Sequence, residues 1–274
     1  MKTFKYSQRG LSLIELMVAL LIGMILMAGF LQIFMSVRST YATNEAASRL
    51  QENGRFALDF LSEHARLAGY RDPKHIDRPM PIAPPQGKGC SLPSGKQASF
   101  CSVNRGVIST VQIGAETGDR VSFQYQPPID SSGNRTDCAG EKVPTAFEDE
   151  PIINTFTTVV SNNSSGLACQ SITSSGTSLS TGWNELVDGI DAVQFQYGVS
   201  PNGFISQYVT ADNVKNWGDV SALRIAVLAN SISSVTPAPT EKEYYLLDAG
   251  PFTFTDGKMR QIFTTTVYLR NSVH

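Results

Sequence analysis

Glu15 is the residue near the amino terminus whose chemistry most needs an explanation. It lies inside an apolar run from Leu13 to Val37, in which only Glu15 and Gln32 are strongly polar. A run of that length is enough for a transmembrane helix. Because a carboxylate buried in hydrocarbon is costly unless it is paired, we predict a cationic partner for Glu15. The alternative is that Glu15 lies near the lipid headgroups and simply reaches water.

The first ten residues of the chain contain Lys2, Lys5 and Arg9 and no acid. A secretory signal peptide would have a shorter apolar core and a small-residue cleavage site after it, and neither is present. A plain anchor explains neither Glu15 nor the small residue Gly10 at the boundary. Since basic flanks stay cytoplasmic, the chain beyond about Val37 is expected to lie in the periplasm.

The segment from Gly10 to Leu16, with the sequence GLSLIEL, resembles the class III signal of type IV pilins and type II secretion pseudopilins. The resemblance implies that a prepilin peptidase cuts between Gly10 and Leu11 and methylates the new amino terminus at Leu11. Leucine differs here from the commonest residue of the family, which is phenylalanine. The resemblance also implies that Glu15 pairs with the Leu11 amine of a neighbouring subunit during filament assembly.

Charge excludes one broad class of function. The formal net charge is −2, and loss of the three basic residues of the leader lowers the side-chain charge to −5. An acidic chain without a basic cluster is poorly suited to general nucleic-acid binding.

The chain has four cysteines, and an even number in an exported protein predicts two disulfides. Four cysteines allow three pairings. We favour the local ones, Cys90–Cys101 and Cys138–Cys169, because each closes a turn-rich loop. Zinc is not expected, because neither CxxC spacing nor clustered histidines occur.

A second helical pattern continues the apolar run, because small and apolar residues recur at steps of three and four. They are Ala47, Leu50, Gly54, Ala57, Leu58, Leu61, Ala65 and Ala68. Charged residues mark the opposite face, and Gly69 is a natural stop. Gly23, Gly29 and Gly54 have two open interpretations. Each is either a glycine that the helix merely tolerates or a small residue that lets a neighbouring element approach the helix closely.

The remaining chain is β-rich and predicts an α+β fold. Expected strands are 107–113, 120–126, 152–160, 170–173, 190–197, 222–229 and 262–269. Without interleaved helices they favour an antiparallel sheet. The expected domains are a leader (1–10), a transmembrane or filament-core half-helix (11–37), an amphipathic half-helix (38–69), a Pro/Gly-rich loop (70–105) and a periplasmic β-rich head (106–274). With the family resemblance, this is a type IV pilin-like fold, one long amino-terminal helix packed on a carboxy-terminal sheet.

Scattered segments extend the resemblance to minor pilins of the PilW type. They are Gln51–Leu58, Ala68–Tyr70, Arg135–Cys138, Leu186–Ile190 and Phe263–Asn271. The resemblance implies a minor pilin of a Gram-negative inner membrane that primes pilus assembly, near the tip of the filament. Its implied partners are other minor pilins, the major pilin, the prepilin peptidase and the inner-membrane assembly platform. A J-type pseudopilin of type II secretion and a membrane-tethered binding or adhesion module are the alternatives.

No catalytic residue or cofactor is expected. His64, His75 and His274 lie near no recognisable nucleophile or metal motif. One segment has the oxygen spacing of a calcium loop, at Asp130, Ser132, Asn134, Thr136 and Glu141. However, Arg135 stands where that loop needs glycine, so a simple turn is the favoured interpretation and no metal is predicted.

Overall fold

The computed structural model describes residues 12–73, 102–105, 116–161 and 164–271. Its first element is one helix, α1, from Leu13 to Leu67. The chain divides into two compact units, one through Glu45 and one from Ala46 onward. The first part of α1 therefore belongs to one unit and its last part to the other.

The first part of α1 is long and apolar enough to cross a membrane. Its large apolar side chains between Leu13 and Val37 are exposed in the described chain. A helix that is apolar all round is stable only in lipid or against other apolar surfaces. This segment therefore requires a membrane or neighbouring helices.

The last part of α1 is amphipathic and packs on the head. Its buried face comprises Ala46, Leu50, Gly54, Ala57, Leu61 and Ala65. From Leu50 onward these positions follow the predicted stripe, but at its start Ala46 is buried in place of the predicted Ala47, which is half-buried. The charged residues of the opposite side are exposed. Removing the stripe from water is the main source of its stability.

Ten strands follow α1 in the described part of the chain. They are β1 (Glu116–Tyr125), β2 (Ile152–Ser161), β3 (Ser164–Thr173), β4 (Asn184–Asp188), β5 (Ile190–Val199), β6 (Gln207–Val209), β7 (Val220–Asn230), β8 (Tyr244–Leu246), β9 (Ala249–Phe252) and β10 (Arg260–Tyr268). Single turns of 3-10 helix occur at Thr145–Phe147, Ala211–Asn213 and Trp217–Asp219.

Eight of the described strands form one sheet in the order β10-β7-β5-β1-β2-β3-β4, with β6 beside β5. The pairs are antiparallel except for β1 and β5, which meet in parallel at Gly118 and Val193. The predicted α+β fold is confirmed, and its sheet is mostly antiparallel. The parallel pair could not be predicted, because β1 and β5 are separated in sequence by β2, β3 and β4.

Apolar residues are buried on both faces of the sheet. On one face, Leu61 and Ala65 of α1 belong to the same cluster as Phe156 and Ile225. On the other face, the β8–β9 hairpin covers residues of β5 and β7, among them Leu228. The head therefore has its own core.

The carboxyl end of α1 is closed by residues from distant parts of the chain. Gly69 has a left-handed φ of 77°, a conformation that glycine adopts without strain. Its N–H donates to the carbonyl of Gln124 at 2.9 Å. The Asn271 amide donates to the carbonyls of Arg66 (3.2 Å) and Ala68 (3.1 Å). These bonds satisfy groups that a helix end otherwise leaves without partners.

Two predicted strand boundaries were wrong. β3 was expected only at 170–173, but it begins at Ser164 and pairs with β2 along its whole length. The Ser-Ser-Gly start has low strand propensity, which the pairing overrides. β1 was expected from Arg120, but it begins at Glu116. The strand predicted at 107–113 lies outside the described residues.

Candidate functional site

Glu15 lies in the first turn of α1, and its side chain is exposed. Its backbone N–H donates to the Ser12 carbonyl at 3.0 Å, and the N–H of Leu16 donates to the same oxygen at 3.2 Å. A carboxylate in the first turn also interacts favourably with the helix dipole. Among the described residues no ion pair engages this carboxylate. The helix therefore fixes its position without supplying a cationic partner.

The other residues of the predicted processing site lie just before the described helix. Gly10 and Leu11 are outside the described residues, as are Cys90 and Cys101. Cleavage and methylation at Gly10 and Leu11 therefore stay predictions, and so does the Cys90–Cys101 pair.

Cys138 and Cys169 form a disulfide across 31 positions of sequence. Both residues are buried, and Cys169 belongs to β3. A cross-link over a loop of this length stabilises a fold by about 3–4 kcal/mol in the chain-entropy account. It ties the turn after Thr136 to the sheet.

A buried chain of polar side chains leads from α1 into the sheet. Nδ1 of His64 lies 2.6 Å from the Tyr125 hydroxyl, which accepts a 2.6 Å hydrogen bond from the Asn154 amide. Ser171 in turn donates to Asn154 Oδ1 at 2.6 Å. Because Tyr125 accepts from Asn154, its own proton is available to the lone pair of a neutral His64.

Burial acts on both titratable members of this chain. It lowers the pKa of His64 from 6.5 to about 4 and raises the pKa of Tyr125 above its ordinary value, although the Asn154 bond opposes the second effect. The sequence placed His64 on α1 without a role. Its spacing contained a clue, because it lies three residues after Leu61 and four before Ala68, both of which belong to the stripe.

Asp119 is a buried acid that the sequence did not single out. Its carboxylate accepts backbone N–H bonds from Arg105 (2.7 Å) and Phe195 (2.9 Å). Burial raises the pKa of Asp119 to about 8, while both backbone bonds act in the opposite direction. Asp119 lies where the register of β1 shifts between Thr117 and Val121, so its side chain replaces missing ladder bonds there.

The segment with calcium-loop spacing is a turn closed by its own backbone. Asp130 Oδ1 accepts the N–H groups of Ser132 and Asn134, both at 2.8 Å. Arg135 is buried and forms an ion pair with Asp72 at 2.8 Å. Within the described ranges, no group of three acidic, histidine or cysteine residues could hold a metal ion.

Comparison with known proteins gives two family matches. Residues 156–271 match the family described as Type IV Pilus-assembly protein W, and residues 5–31 match the Prokaryotic N-terminal methylation motif. Among solved structures, a type IV-like pilin from Thermus thermophilus has a TM-score of 0.43 and 14% sequence identity, covering 82% of this chain and 99% of that chain. No curated protein sequence matches.

The chain is a type IV pilin-like protein, because the methylation motif opens the long apolar helix that leads into the β-rich head. The head resembles the PilW-type minor pilins, since the W family matches from β2 to the end of β10. The family that the head matches is one of pilus-assembly proteins.

Proposed function

We propose that this chain is a minor pilin, a non-catalytic structural subunit that helps to initiate type IV pilus assembly. One observation carries the proposal. The apolar first part of α1 is exposed from Leu13 to Val37, and Glu15 is the only charged residue in that range. A helix that only anchored a head would gain nothing from a carboxylate in hydrocarbon.

In the proposed mechanism, the peptidase cuts between Gly10 and Leu11 and methylates Leu11. The amine at Leu11 is then a cation close to the membrane depth of Glu15. Pairing between the amine of one subunit and Glu15 of the next compensates both charges and selects one register between adjacent helices. The apolar side chains around Glu15 pack against neighbouring subunits once the helix leaves the lipid.

The proposed partners are other minor pilins, the major pilin and the inner-membrane assembly platform. Before assembly the subunit is inserted in the inner membrane with its head in the periplasm, and it then enters the pilus near the tip. The match of the head to the W family supports a pilus role over a J-type pseudopilin.

The first prediction concerns Glu15. Glu15→Gln keeps the shape and removes the charge, so we expect surface piliation and twitching to fall at least about tenfold, the effect of about 1.4 kcal/mol on assembly. The matched control is Gln32→Leu, which removes the other strongly polar group of the same run. Sheared pili are quantified by immunoblot, with membrane fractions probed for the subunit.

Gly10→Ala should leave the leader attached, which a gel-mobility shift detects.

Normal piliation by a Glu15→Gln strain that makes normal amounts of membrane-inserted protein would contradict the filament role and favour a tethered binding module. The secretion alternative is separated in the same strains. Loss of type II secretion with normal pili would identify a pseudopilin instead.

A further inference from the structure

A cavity of about 530 Å³ opens on the head, far along the chain from Glu15. Its lining residues come from two segments, 137–147 and 177–184. The volume falls within the range of about 300–1,000 Å³ that is typical of small-molecule sites. Pilus assembly through α1 makes no use of this cavity.

The first wall is held rigidly by Asp137 and by the disulfide. Asp137 Oδ1 accepts the N–H groups of Ala139 and Glu141, both at 2.9 Å. The intervening Cys138 is bonded to Cys169 of β3. These bonds limit the conformational freedom of this wall.

The second wall is held by bonds to the end of β3. The N–H of Thr177 donates to the Thr173 hydroxyl at 2.9 Å, and the N–H of Leu179 donates to the Ser171 carbonyl at 3.0 Å. The Ser180 hydroxyl accepts from the N–H of Ser171 at 3.0 Å. Because both walls are preformed, binding would require little ordering of the protein.

Several polar side chains of the lining have hydrogen-bonding capacity to spare. Asp137 is only 7% exposed, and its Oδ2 has no hydrogen bond to the residues that the structure describes. The side chains of Thr181 and Asn184, which also line the cavity, likewise have no hydrogen bond to the described residues. Half-buried Phe147 adds an apolar surface. The lining thus offers a carboxylate acceptor, a hydroxyl, an amide and an aromatic ring.

The geometry points to a neutral saccharide as the ligand of this cavity. Sugar hydroxyls can donate to Asp137 and exchange hydrogen bonds with Thr181 and Asn184, while the C–H face of the ring packs on Phe147. Among the described residues, the lining carries two carboxylates, Asp137 and Glu141, and one cation, Lys142, a balance that disfavours anions. The site would let the head bind glycan, an activity separate from filament assembly.

The test uses the full chain in detergent and a panel of glucose, galactose, mannose and N-acetylglucosamine, followed by saturation-transfer NMR and titration. We expect a dissociation constant of about 1 mM for the best sugar. Asp137→Asn keeps Oδ1 for the turn but replaces the free oxygen with a donor, so binding should weaken at least about tenfold. Thr181→Val, at an exposed position, should weaken it several-fold without affecting the fold.

Asp130→Asn is the matched control, because Asp130 closes a turn of the same kind but does not line the cavity. It should leave sugar binding unchanged. The proposal is overturned if no sugar of the panel binds at a concentration ten times the expected dissociation constant. Equal weakening by Asp130→Asn, or tighter binding of glucuronate than of glucose, would overturn it as well.

Discussion

His64 is a titratable side chain that the fold keeps neutral. Its ring lies 4.9 Å from that of Phe156 and 4.6 Å from that of Phe60, between centroids. These aromatic neighbours exclude water, and Nδ1 faces the Tyr125 hydroxyl. A proton on Nδ1 would remove the acceptor of that bond and place a charge in an apolar site, so burial lowers the pKa of His64 to about 4.

This lowered pKa predicts a loss of stability in mild acid. The unfolded chain binds a proton at His64 below about pH 6.5, whereas the folded chain does so only near pH 4. The contribution of His64 is therefore complete above pH 6.5 and is lost as the pH falls. Between pH 7.5 and pH 5 the wild type should lose about 2 kcal/mol relative to His64→Gln.

Chemical denaturation of both proteins at the two pH values measures this difference. Asp119 titrates in both proteins, so its contribution cancels. Parallel pH profiles for wild type and variant would show that His64 does not titrate as inferred.

Residues differ in how far the sequence reveals them. Glu15 could be singled out because a charge inside an apolar run is visible without a structure. His64 and Asp119 could not, because their roles depend on partners 61 and 76 positions away, Tyr125 and Phe195. A local pattern contains no information about which distant strand will bury a side chain.

At the scale of elements, the contact between α1 and β10 depends on Gly54. A Cβ at this position would overlap the ring of Phe263, whereas nothing in the described chain lies within 4 Å of a Cβ at Gly23 or Gly29. Of the two interpretations open for these glycines, close packing applies at Gly54. The helix gives up some intrinsic propensity there and gains a close approach to the sheet.

Gly54→Ala should therefore destabilise the head by about 1–3 kcal/mol, although alanine is the better helix former. In a Phe263→Leu background the smaller side chain leaves room, and the same change should be neutral or stabilising by up to about 1 kcal/mol. Thermal unfolding of the four proteins of this double-mutant cycle gives the coupling. An equal effect of Gly54→Ala in both backgrounds would refute the contact as its cause.

The elements that the sequence predicted well are those with strong local patterns. β2, β5 and β7 were each placed within about three residues, since β2 and β5 are rich in β-branched and aromatic residues and β7 contains a nearly continuous apolar run. β4 and β6 were missed, because Asn184–Asp188 and Gln207–Val209 are short and acquire strand structure only by pairing with β3 and β5.

At the scale of the whole molecule, the two units have different requirements. The unit from Ala46 onward buries Leu50, Ala57 and Leu61 against its own sheet. None of the large apolar residues described between Leu13 and Glu45 belongs to that core. The stability of the head is therefore expected to be independent of the membrane segment.

Removing the chain through Glu45 should leave a head that is soluble without detergent and unfolds in one cooperative transition. Its unfolding temperature should match that of the head transition of the full chain in mild detergent, because the buried face of α1 is kept. Calorimetry and light scattering measure both properties. A fragment that binds hydrophobic dyes and lacks a cooperative transition would show that the head depends on the first unit.

The Asn271 bonds to the end of α1 also set an order of events. The amide that closes the helix lies more than 200 positions beyond the carbonyls of Arg66 and Ala68, so it leaves the ribosome long after them. Until then the last turn can fray, and frayed segments are where proteases cut. The Asn271 amide can therefore close the carbonyls of Arg66 and Ala68 only in a chain made at least as far as Asn271.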